Sequence, residues 1–111
     1  MLTTLPRPVA MYVQATNDHD STAFAAAFAE DAVVADDGHE HRGRAAIKAW
    51  NEHNIREYAV SMTVTETVQR DEQTIVTARL SGTFDGSPLI FRYTFGCAGE
   101  RITSLYIEHI G

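Results

Sequence analysis

The chain reads as an α+β domain, a cone-shaped α+β barrel with three N-terminal helices packed in the concave face of a curved, mostly antiparallel sheet. Three observations predict it. Apolar residues recur at helical spacing through the first half and alternate at strand spacing from Ala59 onward. Short polar turns at Arg70–Gln73, Asp85–Pro88 and Ala98–Glu100 cut the second half into long segments, and turns this short join antiparallel neighbours. Helices that precede a single sheet cover one of its faces, and the mouth of the resulting cone is a natural small-molecule pocket.

Each element has its own signal. Leu5, Val9, Tyr12 and Thr16 place the first helix at about 6–17, with Pro6 and Pro8 in its first turn, where a missing N–H costs little. Asp20 is an N-cap for a second helix over about 21–29, with Phe24 and Phe28 one turn apart on one face. Ala32–Ala35 is a short β-prone run. Asp36–Gly43 is polar and turn-rich, a loop or a ragged hairpin. Ala45–Glu57 reads as a third helix, with Ile47, Trp50 and Asn54 or Ile55 inward. Strands are expected over about 60–69, 74–84, 89–98 and 101–110. Their inner faces carry Val60, Met62, Val64 and Val68, then Val76, Ala78, Leu80, Gly82 and Phe84, then Leu89, Phe91, Tyr93, Phe95 and Cys97, and finally Leu105, Ile107 and His109.

Composition narrows the function. At 111 residues and 44% hydrophobic, residues 1–111 form one domain that can fold without disulfides or metals. Nine basic against fifteen acidic side chains give a net charge of −6, which repels phosphate backbones, so no nucleic-acid partner is expected. Cys97 is the single cysteine and cannot pair internally, which fits a reducing compartment. No apolar run approaches the roughly 20 residues needed to span a bilayer. The N-terminal stretch has Pro6 and Pro8 and lacks the apolar core of a signal peptide. The expectation is a cytoplasmic protein with no membrane partner.

Three segments carry a family resemblance: Tyr12–Asp20 (YVQATNDHD), Phe28–Asp36 (FAEDAVVAD) and Gly43–Trp50 (GRAAIKAW). With four strands following in order, the chain resembles the nuclear transport factor 2-like superfamily over nearly its whole length, and within it the SnoaL-like domains. That resemblance implies the cone fold. It leaves the activity open, because the fold hosts isomerases, dehydratases, cyclases, epoxide hydrolases and non-catalytic binders. Ketosteroid isomerases of the superfamily carry an oxyanion-donating Tyr on the first helix, where Tyr12 stands, and an Asp base in the strand after the second helix, where Asp36 stands. Their second oxyanion donor is a protonated Asp on the penultimate strand. Phe91 occupies that position here, so the resemblance implies a single donor and simpler proton transfer.

The residue chemistry agrees in kind. Asp36, at a strand end against an aromatic pocket and beside Asp37, is expected to have a raised pKa, as a general base or acid near neutral pH needs. Its structural alternative is a cap before the third helix. Tyr12 is expected to polarise a substrate oxygen, or else to be a core tyrosine bonded internally. Trp50, Tyr58, Leu80, Phe91, Tyr93 and Leu105 are expected to line a pocket for an apolar or aromatic small ligand, or to be ordinary core. His109 shares parity with Leu105 and Ile107, so it should point into the cone, to act as acid or base or to orient Asp36. Otherwise a dimer partner covers it. His39 and His41 form a pair in a polar loop with no third ligand at metal-type spacing, so no metal is expected. No cofactor is expected either, since there is neither a nucleophile elbow nor a Gly-rich phosphate loop.

These features describe a small-molecule pocket protein, read either as a cofactor-independent isomerase, dehydratase or cyclase using Asp36 and Tyr12, or as a non-catalytic ligand-binding or dimeric interaction module. A cavity of roughly 300 Å³ or more that exposes both residues would favour the enzyme. The outer sheet face is rich in neutral and β-branched side chains, including Thr63, Thr65, Thr77 and Thr94, with Arg79, Arg92 and Tyr106 among them. Such a face suits packing against a twofold copy, so a homodimer is expected.

Overall fold

A computed structural model describes residues 5–111; the first four residues of the stretch read for a signal peptide lie outside them. The elements run α1 (Arg7–Asp18), α2 (Ser21–Ala26), β1 (Phe28–Asp36), β2 (His39–Arg42), α3 (Gly43–Tyr58), β3 (Ser61–Arg70), β4 (Gln73–Ser81), β5 (Leu89–Ala98) and β6 (Arg101–His109). The six strands form one sheet in the order β2-β1-β6-β5-β4-β3. Only β1 and β6 pair in parallel; the other neighbours are antiparallel. The three helices cover the concave face, as the period switch predicts.

The helix ends follow from local chemistry. Pro6 and Pro8 open α1, and His19 closes it in the left-handed region at φ 55°. The Asp20 N–H reaches back to the Ala15 carbonyl at 3.0 Å, satisfying a terminal acceptor. The His19 ring holds the strained residue in place by bonding the Val60 carbonyl at 2.7 Å, and Asn17 bonds both backbone groups of Met62. The end of α1 is thereby fixed to the start of β3. Asp20 caps α2 as expected, its Oδ1 accepting from Ala23 N–H at 3.1 Å.

The helix expected over 21–29 stops at Ala26, because the next residues are claimed by the sheet. Ile102 N–H bonds the Ala27 carbonyl at 2.9 Å, and Phe28 pairs with Ile102 in β6. The short β-prone run is therefore the centre of a nine-residue strand. The polar segment after it is a hairpin. Asp37 and Gly38, at φ 50° and 79°, make the two-residue turn that joins β1 to β2.

The core lies between the helices and the inner sheet face. Tyr12, Phe24, Phe28 and Phe95 cluster there, with ring centroids 4.8 to 6.1 Å from Tyr12. Val76 and Leu105 are buried in the core, and Leu80 and Phe91 are partly buried against it, as the alternation requires. Two details differ. Strand β4 ends at Ser81, short of the expected Phe84, since the chain turns away where Gly82 packs on α3. A Cβ on Gly82 would stand 2.5 Å from the Tyr58 carbonyl oxygen, so no larger residue fits. In β3 a bulge between Val64 and Glu66 reverses the parity. Thr67 then pairs with buried Val76, while Val68, expected inside, is 39% exposed.

Candidate functional site

Strand register assembles the site. Ala32, Val34 and Asp36 share the inner parity of β1, so Asp36 is the last inward side chain before the turn. It pairs with Ile107, Ile107 with Tyr93, and Tyr93 with Val76, forming one lateral row across β1, β6, β5 and β4. Asp36 and Tyr93 are thus two strands apart on a concave surface. Tyr12 comes down from α1, its ring centroid 6.1 Å from that of Tyr93. Trp50 comes from α3 and stacks on His41 of β2 at 5.2 Å.

These side chains enclose a cavity of about 190 Å³. Asp36, Tyr12, Tyr93 and Phe91 line it, with Trp50, Asn51, Asn54 and Tyr58 from α3 and Met62 and Leu80 from β3 and β4. Of the expected lining residues, Trp50, Tyr58, Leu80, Phe91 and Tyr93 border this space. Leu105 does not. It sits one row deeper, paired with Val34 and Phe95, and is buried among core side chains. Asp36 and Tyr12 both face the cavity, but its volume falls short of the 300 Å³ set by the sequence reading.

His109 keeps the parity of Ile107 and pairs with Phe91, one row further out, where β1 has already turned away at Asp37; its ring lies 5.3 Å from that of Phe91, which lines the cavity. With no strand beside it on that edge, the residue is exposed. It borders an adjoining surface pocket with Asp36, Asp37 and Glu108. The histidines that act on Asp36 are His41 and His39, across the hairpin. That pair, expected in a polar loop, lies on β2, where the ring of His41 packs on Trp50. Among the described residues no group of three or more His, Cys, Asp or Glu side chains is placed to hold a metal ion.

Burial dominates the electrostatics. Loss of water raises the Asp36 pKa above its ordinary 3.8. The indole N–H of Trp50, turned toward the carboxylate, opposes this; Asp37 adds like charge and pushes it further up; His41 and His39 pull it down. Burial holds the Tyr12 phenol well above its ordinary 10.0, with Tyr93 and Asp36 adding to the effect. Tyr93 is raised for the same reason, and Asp36 contributes. Both phenols therefore keep their protons and remain donors. Neither hydroxyl is sealed off in the interior without a partner. Phe91, at the family's second donor position, offers no hydroxyl. Tyr93, two residues on and on the same face, supplies a second phenol beside Tyr12 and Asp36. Its parity with Phe91 was the available signal.

A SnoaL-like domain model matches residues 9–105. The chain belongs to the SnoaL-like family of the nuclear transport factor 2-like superfamily. A candidate polyketide cyclase from Sinorhizobium meliloti is 35% identical to this SnoaL-like chain, with a TM-score of 0.90 over 94% of this chain and 95% of the other. A hypothetical protein with a ketosteroid isomerase-like fold from Catenulispora acidiphila, solved with trimethylamine, is 23% identical, with a TM-score of 0.85 over 95% and 86% of the two chains. A nuclear transport factor 2-like protein of unknown function from Cytophaga hutchinsonii is 13% identical, with a TM-score of 0.80 over 97% and 92%. These last two share the fold alone. No curated protein matches the chain. Among the described residues no helix is long and apolar enough to cross a membrane.

Proposed function

We propose that this SnoaL-like domain binds a small apolar or aromatic molecule and moves a proton on it, as an isomerase, dehydratase or cyclase working through its own side chains. One observation carries the reading: a desolvated carboxylate and two protonated phenols converge on one apolar cavity. Asp36 takes a proton from a carbon next to a carbonyl. The C–H electron pair moves toward the oxygen, and Tyr12 and Tyr93 donate hydrogen bonds to the charge that develops there. Asp36 then returns the proton to the same or a neighbouring carbon. The likeness to a candidate cyclase supports this class of chemistry.

A cavity of about 190 Å³ suits one ring or two fused rings. That small volume also favours the rival reading, a binding module that holds its ligand without turnover. Titration of the Asp36 carboxyl carbon by NMR decides between them. The proton-transfer reading expects a midpoint above 3.8 that moves when a ligand binds. An ordinary midpoint leaves the binding module.

The same reading includes a homodimer through the outer sheet face. Tyr106, 54% exposed there, and the neighbouring Arg92–Glu108 pair at 3.2 Å support it. Sedimentation at high micromolar concentration should give about twice 12.3 kDa; a monomer refutes it.

A further inference from the structure

The proposed chemistry uses one side of the cavity. The other side holds a polar group that neither the fold nor that chemistry employs. Asn51 lies one residue after Trp50 and one turn after Ile47, on the buried face of α3. Asparagine is a poor mid-helix residue, because its amide competes for backbone hydrogen bonds, and an apolar side chain would suit an inward position better. Asn51 is only 3% exposed and borders the cavity. Its Oδ1 is sealed from solvent and accepts no hydrogen bond. Thr67 Oγ1 is the other such atom among the described residues, and Thr67 does not border the cavity. That oxygen is closed to the cavity as well as to solvent, so the amide atom that a ligand in the cavity can meet is Nδ2, which makes no hydrogen bond among the described residues.

Topology sets where that partner lies. Helix α3 starts at the end of β2, beside β1, and finishes just before β3, at the opposite edge of the sheet. Its cavity-lining residues after Trp50 therefore lead away from Asp36 toward Met62 and Leu80. Thr16, which also borders the cavity, already spends its hydroxyl proton on the Tyr12 carbonyl at 2.8 Å. Among the described residues no Lys, Arg or His borders the cavity, so none there offsets a ligand anion, and Asp36 would repel one.

We propose that Asn51 is a second polar anchor, and that the ligand is a small uncharged molecule with a hydrogen-bonding group at each end of an apolar body. One group meets Asp36, Tyr12 and Tyr93; the other, a hydroxyl, carbonyl or amide, meets the Asn51 side chain. A half-turn of that amide exchanges oxygen for nitrogen, so it serves as acceptor or donor. This rests on the cavity being the binding site of the proposed function, but not on Asp36 moving a proton.

The test compares 2-naphthol with naphthalene-2,6-diol, which differ by a hydroxyl at the far end. By calorimetry the native protein should bind the diol more tightly by roughly 3- to 10-fold, the worth of one added neutral hydrogen bond. Asn51→Leu should abolish that preference, retain 2-naphthol binding and raise the melting temperature. Asn51→Ala, which leaves room where leucine overpacks, should also abolish the preference. Equal affinity of the native protein for both probes, or binding of neither, overturns the proposal. So does a diol preference that survives both substitutions, since Asn51 then holds a trapped water only. If the Asp36 titration is ordinary while the Asn51-dependent preference persists, proton transfer fails and the second anchor stands.

Discussion

The two sides of the cavity solve the burial of polar groups differently. Where α1 meets the sheet, Asp36, Tyr12 and Tyr93 crowd together, and burial raises the pKa of each. On the α3 side, Asn51 and Asn54 are neutral amides that no change of pH will charge. The first side is costly because its carboxylate must ionise in poor solvent; the second because an amide oxygen lacks a partner. The difference teaches where reactivity and where selectivity reside. Asp36, Tyr12 and Tyr93 are brought together from three separate elements, β1, α1 and β5, whereas Asn51 and Asn54 stand on one continuous helix that fixes their spacing.

The largest break in this contrast is Asp36→Asn. It keeps the shape and removes the base, so deuterium exchange at C1 of 2-tetralone, followed by NMR, should fall by roughly 10²-fold or more while binding persists. The same variant should be more stable at neutral pH. Folding raises the pKa of Asp36, so the native carboxyl holds its proton more tightly than the unfolded one. Its stabilising contribution is full below 3.8 and is lost as pH rises through the folded value. The melting-temperature gain of Asp36→Asn should therefore vanish below that pH. An equal gain at every pH would mean that the carboxylate is not desolvated.

Tyr93→Phe and Tyr12→Phe come next. Each leaves one phenol, so each should slow the exchange by roughly 10-fold, and the double variant by about 10²–10³-fold. A silent Tyr93→Phe would return that residue to the core aromatics and make the two sides less distinct. The smallest effect belongs to Trp50→Phe. It removes the indole N–H that favours the charged carboxylate, so the Asp36 midpoint should rise further on NMR titration. No change would show that the Trp50 N–H does not act on the carboxylate.

Much of this was legible in local pattern. Asp20 declared its cap, and the alternation in β4 and β5 named Val76, Tyr93 and Phe95 as inward. Other features were hidden for identifiable reasons. Phe28 has good helical spacing from Phe24, but pairing with Ile102 draws it into β1. Val68 keeps the parity of Met62 on paper, yet the bulge after Val64 turns it outward. Tyr93 was named as a pocket residue but not as a donor, since its nearness to Tyr12 and Asp36 is a matter of register. Asn51 carries a signal in its inward position, one turn from Ile47, but an asparagine between Trp50 and Asn54 does not by itself mark a buried amide.

The sequence by itself determined the elements, the α+β class and the inward faces, because those follow from hydrophobic period, caps and turn residues within a few positions of each other. Tertiary structure decided which inward residues meet. The row from Asp36 through Ile107 to Tyr93 depends on β1 pairing in parallel with a strand some seventy positions away. No local spacing encodes that pairing; burial of both strands and closure of their backbone hydrogen bonds select it. The same register carries His109 past the end of β1 into the open, and sets Leu105 one row too deep to reach the cavity.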